Sequence, residues 1–233
     1  MPDYSVVVPV YNEEESLDPL FREIKAQMDL LGHPYEIIFV DDRSSDTSLA
    51  KMESYKSRYP SLVNIVKLPE RSGQTYALRK GLDPAKGAVV ITLDADLQND
   101  PADIPRLLKK MEEGYDMVCG WRKDRMDRPL KKFLSKLGNV LQRSISGLGI
   151  HDVSCTLRAF KSECIPHIDL EWEGQHRFIP LSLSKNGFKI GEIVSHHRQR
   201  KFGYSKYSHK RIFRVVADFF KVLSDRRGVW IFG

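Results

Sequence analysis

The chain has 233 residues, 41% of them hydrophobic and 29% charged, which is enough for one substantial core and excludes a disordered chain or a disulfide-stapled miniprotein. Cys119, Cys155 and Cys164 form an odd set without CxxC or metal-ligand spacing, so they read as reduced thiols of a cytosolic protein with no catalytic role. The net charge of +6 is uneven: eight Lys/Arg fall within 122–143 and seven within 196–214, leaving an acidic body that carries two basic segments suited to polyanions or an anionic membrane surface.

In chain order, short β-branched runs alternate with helical stretches. A strand is expected over 4–10, a helix over 14–31, a strand over 35–40, a helix over 47–59 and a strand over 63–68. A short helix follows near 75–82, then a strand over 88–93, a helix over 104–113 and a strand over 117–120. This alternation specifies a mostly parallel sheet covered on both faces. The second half is less regular: a helix over 130–145, a strand near 156–160, a helix near 178–186, a strand near 189–196 and an amphipathic helix over 209–223. That last helix carries Ile212, Phe213, Val215, Val216, Phe219, Phe220 and Leu223, a width that suits the core or a membrane interface.

In parallel sheets ligands gather beyond the C-terminal strand ends. Three such ends are polar here: 9–13 after the first strand, Asp41-Asp42 after the second, and 94–98 after the fourth. Asp94 and Asp96, at i and i+2, can direct both carboxylates the same way as the chain leaves the sheet, and Gln98 continues the series. Hard oxygen ligands of this kind suit Mg²⁺ or Mn²⁺, with a diphosphate completing the shell. Asp41-Asp42 can reach a base or ribose, while Ser45 or Asp46 caps the next helix. No Gly-rich phosphate loop follows the first strand, which counts against a dinucleotide-binding Rossmann enzyme and against a sugar nucleotidyltransferase.

The run Val-Val-Pro-Val-Tyr-Asn-Glu ending at Glu13, the Asp41-Asp42 pair with Ser44 and Asp46-Thr47, and Asp94-Ala-Asp-Leu-Gln98 resemble the family 2 glycosyltransferases of GT-A fold. Gly120-Trp-Arg122, Asp152-Val-Ser154 leading to Leu157-Arg-Ala-Phe160, Gln175-His-Arg-Phe178 and the segment from Arg200 to Tyr207 are similar to dolichyl-phosphate mannosyltransferases and bacterial polyprenyl-phosphate glycosyltransferases. The resemblance implies a GT-A-like α/β domain over 1–208 and a membrane-proximal segment over 209–233. It further implies that Pro9, Tyr11, Glu13 and Asp41 contact the nucleoside, and that Asp94, Asp96 and Gln98 hold metal and diphosphate. Arg122, Lys131, Ser135, Arg200 and Lys206 would receive phosphates of donor and acceptor, with Asp96, Arg122, Arg200 and Lys206 closest to the chemistry. Lys131 stands where relatives often carry Arg, which exchanges a bidentate fork for a point charge and makes Lys132 a competitor.

The expected reaction is metal-dependent transfer of a hexose, with inversion, from a nucleotide-diphosphate sugar such as GDP-mannose or UDP-glucose to a polyprenyl or dolichyl phosphate. A lipid phosphate is already an anionic nucleophile at neutral pH and needs charge neutralisation more than a base. The alternative is transfer to a saccharide hydroxyl in cell-surface polysaccharide synthesis, which needs a base such as Glu171 or Glu173. Nucleic acid is not an expected partner, because the acidic strand ends have no use in that role. The start of the chain lacks a signal-peptide pattern, and no run is long enough to span a bilayer. A peripheral location on the cytoplasmic side of the membrane is therefore expected, with an anchor if the natural chain continues past the apolar 228–233.

Overall fold

A computed structural model describes residues 1–123 and 149–200. The helices expected over 130–145 and 209–223, together with Lys131, Lys132, Ser135 and Lys206, lie outside the described residues.

Among the described residues seven strands form one sheet in the order β3-β2-β1-β4-β6-β5-β7. The central strand β1 (Tyr4–Val10) is flanked in parallel by β2 (Tyr35–Asp41) and β4 (Val89–Thr92), and β3 (Val63–Lys67) extends the parallel run beyond β2. Strand β6 (Arg158–Lys161) enters antiparallel between β4 and β5 (Met117–Trp121), and β7 (Ile190–Val194) pairs in parallel with β5. The helices are α1 (Glu14–Leu31), α2 (Ser48–Arg58), α3 (Gln74–Leu82), α4 (Ile104–Met111) and α5 (Ile179–Lys185). Expected and observed bounds agree within about two residues at most ends, with β6 starting two residues later than expected.

The period of two along each strand divides the core. Val6, Val8, Ile37, Phe39 and Ile91 pack with α1, α2 and α4 on one face. Val7, Ile38, Val40 and Val90 pack with α3 and α5 on the other. Helix α1 has no side-chain cap from its first flanking residue, Glu13. Burial of Leu17, Leu20, Phe21, Ile24 and Met28 holds it instead, at roughly 2 kcal/mol per side chain as an upper estimate. Helix α3 lies so close to the sheet that a Cβ on Gly81 would come within 2.4 Å of Val7 Cγ1 and 2.8 Å of Val40 Cγ2.

Register fixes where the polar strand ends emerge. Val10 of β1 pairs with Asp41 of β2, and Val7 pairs with Thr92 of β4, two residues before Asp94. Asp41 and Asp94 therefore leave the sheet on either side of the end of β1.

Candidate active site

Among the described residues three non-glycine residues adopt a left-handed backbone, and each sits at one of these strand ends: Asn12 (φ 51°), Arg43 (φ 61°) and Leu97 (φ 59°). Such conformations cost free energy and gather where the chain is held for function. At Leu97 the turn folds the loop back, so that the Gln98 N–H donates to Asp96 Oδ1 at 3.1 Å. Asn12 binds the loop after β2: its N–H donates to Ser44 Oγ and its side-chain carbonyl accepts from the Ser45 N–H.

Asp94 receives the Gln74 side-chain amide at 2.5 Å. Burial raises its carboxyl to about 6, and the neighbouring Asp96 charge adds to this, while Thr156, Arg122 and Arg158 act in the opposite sense. The two carboxylates stand at i and i+2 in the turn that follows β4. Asp96 is buried, and its Oδ2 accepts a charge-assisted hydrogen bond from the Arg200 guanidinium. Gln98 contributes backbone here, since its carbonyl accepts from the Arg198 N–H.

The segment bearing Arg200 is strapped along the Asp96–Asp100 loop. An antiparallel bridge joins Asn99 and His197. Arg198 reaches Glu23 at 2.7 Å and Asp100 at 2.7 Å, and His196 hydrogen-bonds the fully buried Asp103 through both its N–H and its ring. Arg198, one of the seven cations counted over 196–214, and His196 are thus engaged in fixing the strap. Arg200 is the member placed at the carboxylate pair.

Arg122 is also at the site, in an arrangement that the sequence did not disclose. Its Nε donates to Asp152 Oδ2 at 2.7 Å, and its Nη2 donates to Asp152 Oδ1 at 3.0 Å and to Ser154 at 2.9 Å. Asp152 is 2% exposed. The guanidinium is committed to this fork and acts on Asp94 as a fixed positive charge.

At the end of β1, the Arg71 guanidinium lies 4.1 Å from the Tyr11 ring centroid, a cation–π pair. Asp41 accepts from the Ser44 N–H at 3.1 Å, and Glu13 accepts from the Ser16 hydroxyl at the start of α1. Asp42 pins the loop before α3 by accepting from the N–H groups of Ser72 and Gly73, and burial raises its carboxyl above the ordinary range. Asp46 links two helix starts, accepting from the N–H groups of Ser48 and Glu14. Pro9 lines a small cavity with Asp94, Thr156, Arg158 and His176.

Sequence reasoning missed that buried group. Arg158 is 1% exposed, donates to the carbonyls of His176 and Val153, and has an unpartnered Nε. His176 meets the Thr75 hydroxyl at 2.6 Å, and burial keeps the imidazole neutral. The signal was a lone cation inside the apolar run Leu157-Arg-Ala-Phe160. Beyond Thr75 opens a cleft of about 410 Å³, walled by Tyr76, Leu170 and Trp172 and rimmed by Glu70, Glu171 and Glu173. Glu171 and Glu173 are exposed, and Glu173 Oε2 accepts from the Thr75 N–H at 3.0 Å. His151 pairs with Glu192, and the three cysteines are free and buried. Among the described residues no group of three His, Cys, Asp or Glu could hold a metal by itself, and no helix is long and apolar enough to cross a membrane.

A mostly parallel α/β sheet with paired acidic residues at its fourth strand end and a parallel-to-antiparallel switch beside them defines a GT-A-like fold. The chain belongs to glycosyl transferase family 2, whose model matches residues 5–168. It is 39% identical over 225 residues to the dodecaprenyl-phosphate galacturonate synthase of Rhizobium johnstonii, covering 95% of this chain and 66% of that protein. It is 41% identical over 214 residues to the undecaprenyl-phosphate 4-deoxy-4-formamido-L-arabinose transferase of an Enterobacter species, covering 92% of this chain and 65% of that one. The chain thus spans just under two thirds of the length of these curated relatives. Among solved structures it is similar to glucosyl-3-phosphoglycerate synthase from Mycobacterium tuberculosis in complex with Mn²⁺, uridine diphosphate and glucosyl-3-phosphoglycerate, with TM-score 0.70 at 19% identity, covering 100% of this chain and 82% of that one.

Proposed function

We propose that the protein transfers a monosaccharide, with inversion, from a nucleotide-diphosphate sugar to the phosphate of a polyprenyl lipid. The observation that carries this reading is the juxtaposition of Asp94 and Asp96 with Arg200: an acidic pair for a metal-bound diphosphate and a cation beside it for a second phosphate. Support also comes from the two relatives, each named for a polyprenyl-phosphate product or acceptor.

The residues fit a divalent cation. Two hard carboxylates follow the same strand end at i and i+2, burial disfavours the charge on Asp94 in the absence of a counter-ion, and among the described residues no third His, Cys, Asp or Glu completes a metal set with them. That is the open arrangement expected when substrate phosphates complete the coordination of Mg²⁺ or Mn²⁺. Bound there, the cation would neutralise charge developing on the departing nucleoside diphosphate.

The chain's own residues supply position and charge. Gln74 and Thr156 orient Asp94, while Arg122 and Arg158 add fixed positive charge beneath it. Tyr11 and Asp41 face the nucleoside, and Arg200 approaches from the acceptor side; Lys206, which lies outside the described residues, is assigned to the acceptor phosphate by family resemblance alone. The acceptor phosphate oxygen attacks the anomeric carbon as the bond to the diphosphate breaks, and the electron pair leaves with the nucleotide. No general base is required, because the nucleophile is already an anion. The same cationic segments favour a peripheral position at an anionic membrane surface.

The test is incubation of the protein with radiolabelled nucleotide sugars, Mn²⁺ and a short-chain polyprenyl phosphate. Label in a lipid-phosphate monosaccharide is the expected result. Label only in saccharides or free sugar rejects the proposal.

A further inference from the structure

Asp96 has both carboxylate oxygens engaged. Oδ1 accepts the Gln98 N–H and Oδ2 accepts the Arg200 guanidinium. Asp94 is served differently: a neutral amide touches it, and the nearby positive charges, Arg122 and Arg158, are buried and held by other partners. One carboxylate of the pair is therefore compensated by a fixed interior and the other by a long side chain at the rim, 20% exposed.

A divalent cation and a guanidinium cannot share Asp96 Oδ2 without strong like-charge repulsion. The strap keeps the Arg200 backbone in place through Arg198 and His196, so release of Arg200 is a swing of its side chain and leaves the guanidinium beside the site.

We propose that Arg200 is a latch on the Asp96 carboxylate: it holds the site closed to the acceptor phosphate until a divalent cation displaces it, and displacement turns the guanidinium toward that phosphate. This rests on the metal-dependent reading above and adds an order to it. Metal and donor bind first, and the acceptor site forms as a consequence. By linkage, whatever captures the released guanidinium strengthens metal binding in return.

Two measurements test the latch, both on metal-free protein titrated with Mn²⁺ alone. The first is Mn²⁺ affinity read from the electron paramagnetic resonance of the free ion. Arg200→Met should bind Mn²⁺ about three- to fivefold tighter than wild type, the upper end of the scale expected for loss of a partly exposed competing ion pair. Arg71→Met removes a cation that contacts Tyr11 at the same sheet edge, and should change the affinity by less than about twofold. The second is phenylglyoxal modification of Arg200, mapped by peptide mass spectrometry, which should accelerate when Mn²⁺ is added. Equal or weaker Mn²⁺ binding in Arg200→Met, equal tightening in both variants, or unchanged Arg200 reactivity overturns the latch. Wild-type protein that binds no Mn²⁺ defeats both the metal reading and the latch. Protein that binds Mn²⁺ and behaves as a latch, yet transfers no sugar to lipid phosphate, defeats only the proposed acceptor.

Discussion

Replacing Asp152 by Asn tests whether Arg122 is a structural charge locked into the site. The Asp152 side chain is 2% exposed and that of Arg122 is 13% exposed. The two make a bidentate pair with N···O distances of 2.7 and 3.0 Å, and the Arg122 backbone N–H adds a long contact at 3.4 Å. Asn keeps the shape, removes the charge and leaves a desolvated guanidinium without its counter-ion. Breaking a buried pair from one side costs about 3–5 kcal/mol, far above the roughly 0–1 kcal/mol of an exposed pair. Arg122→Met should cost a similar amount, and the double variant clearly less than the sum, since neither charge is then stranded. Urea unfolding followed by tryptophan fluorescence measures all three, with the stability loss read from the midpoint at unchanged slope. A loss below about 1 kcal/mol for Asp152→Asn, or full additivity in the double variant, would refute this account of Arg122.

Three further outcomes follow from the same geometry. Gly81→Ala removes a helical glycine, a change worth up to about 1 kcal/mol of stabilisation on propensity alone; the Cβ meets Val7 and Val40 at 2.4 and 2.8 Å, so thermal melting should instead show destabilisation of about 1–3 kcal/mol. Glu173→Ala should leave transfer to lipid phosphate within about threefold, whereas a hydroxyl-acceptor enzyme using Glu173 as base would lose about 10²-fold; kcat separates the two. Because burial raises the Asp94 carboxyl above its unfolded value, metal-free folded protein holds a proton that the unfolded chain releases. The stability contribution of Asp94 is fully present below about pH 4 and is lost as pH rises to about 6. Mn²⁺ competes with that proton, so the rise in melting temperature on adding Mn²⁺ should be large above pH 6 and fade below it; a pH-independent rise would contradict the assignment.

The parallel half of the fold was legible because its signals are local. Period-two runs followed by polar residues mark β1, β2 and β4, and the rule that ligands sit beyond strand ends picks out Asp41, Asp94 and Asp96. The antiparallel insertion of β6 was not legible, because a four-residue strand carries no mark of direction. Partners were harder still. Arg200 and Asp96 are 104 residues apart, and Arg122 and Asp152 are 30 apart; such pairings are set by the sheet order, not by spacing along the chain. The charge count over 196–214 likewise treated Arg198 and Arg200 as equivalent, although only the fold reveals that Arg198, with His196, anchors Arg200. Arg158 and His176 lay within motifs that resemblance picked out, but their burial against Asp94 and Thr75 required the packed structure.

In the proposed function, Asp94 and Asp96 hold a nucleoside diphosphate through a divalent cation. The most direct measurement is the melting temperature of the protein with uridine or guanosine diphosphate, each with and without Mn²⁺, in wild type and in Asp96→Asn. A ligand at a hundred times its Kd contributes about 2.7 kcal/mol, which for a chain of this size is a rise of roughly 5–10 °C. That rise is expected for at least one nucleotide, only with Mn²⁺ and only in wild type. Equal stabilisation without metal, or in Asp96→Asn, would contradict it.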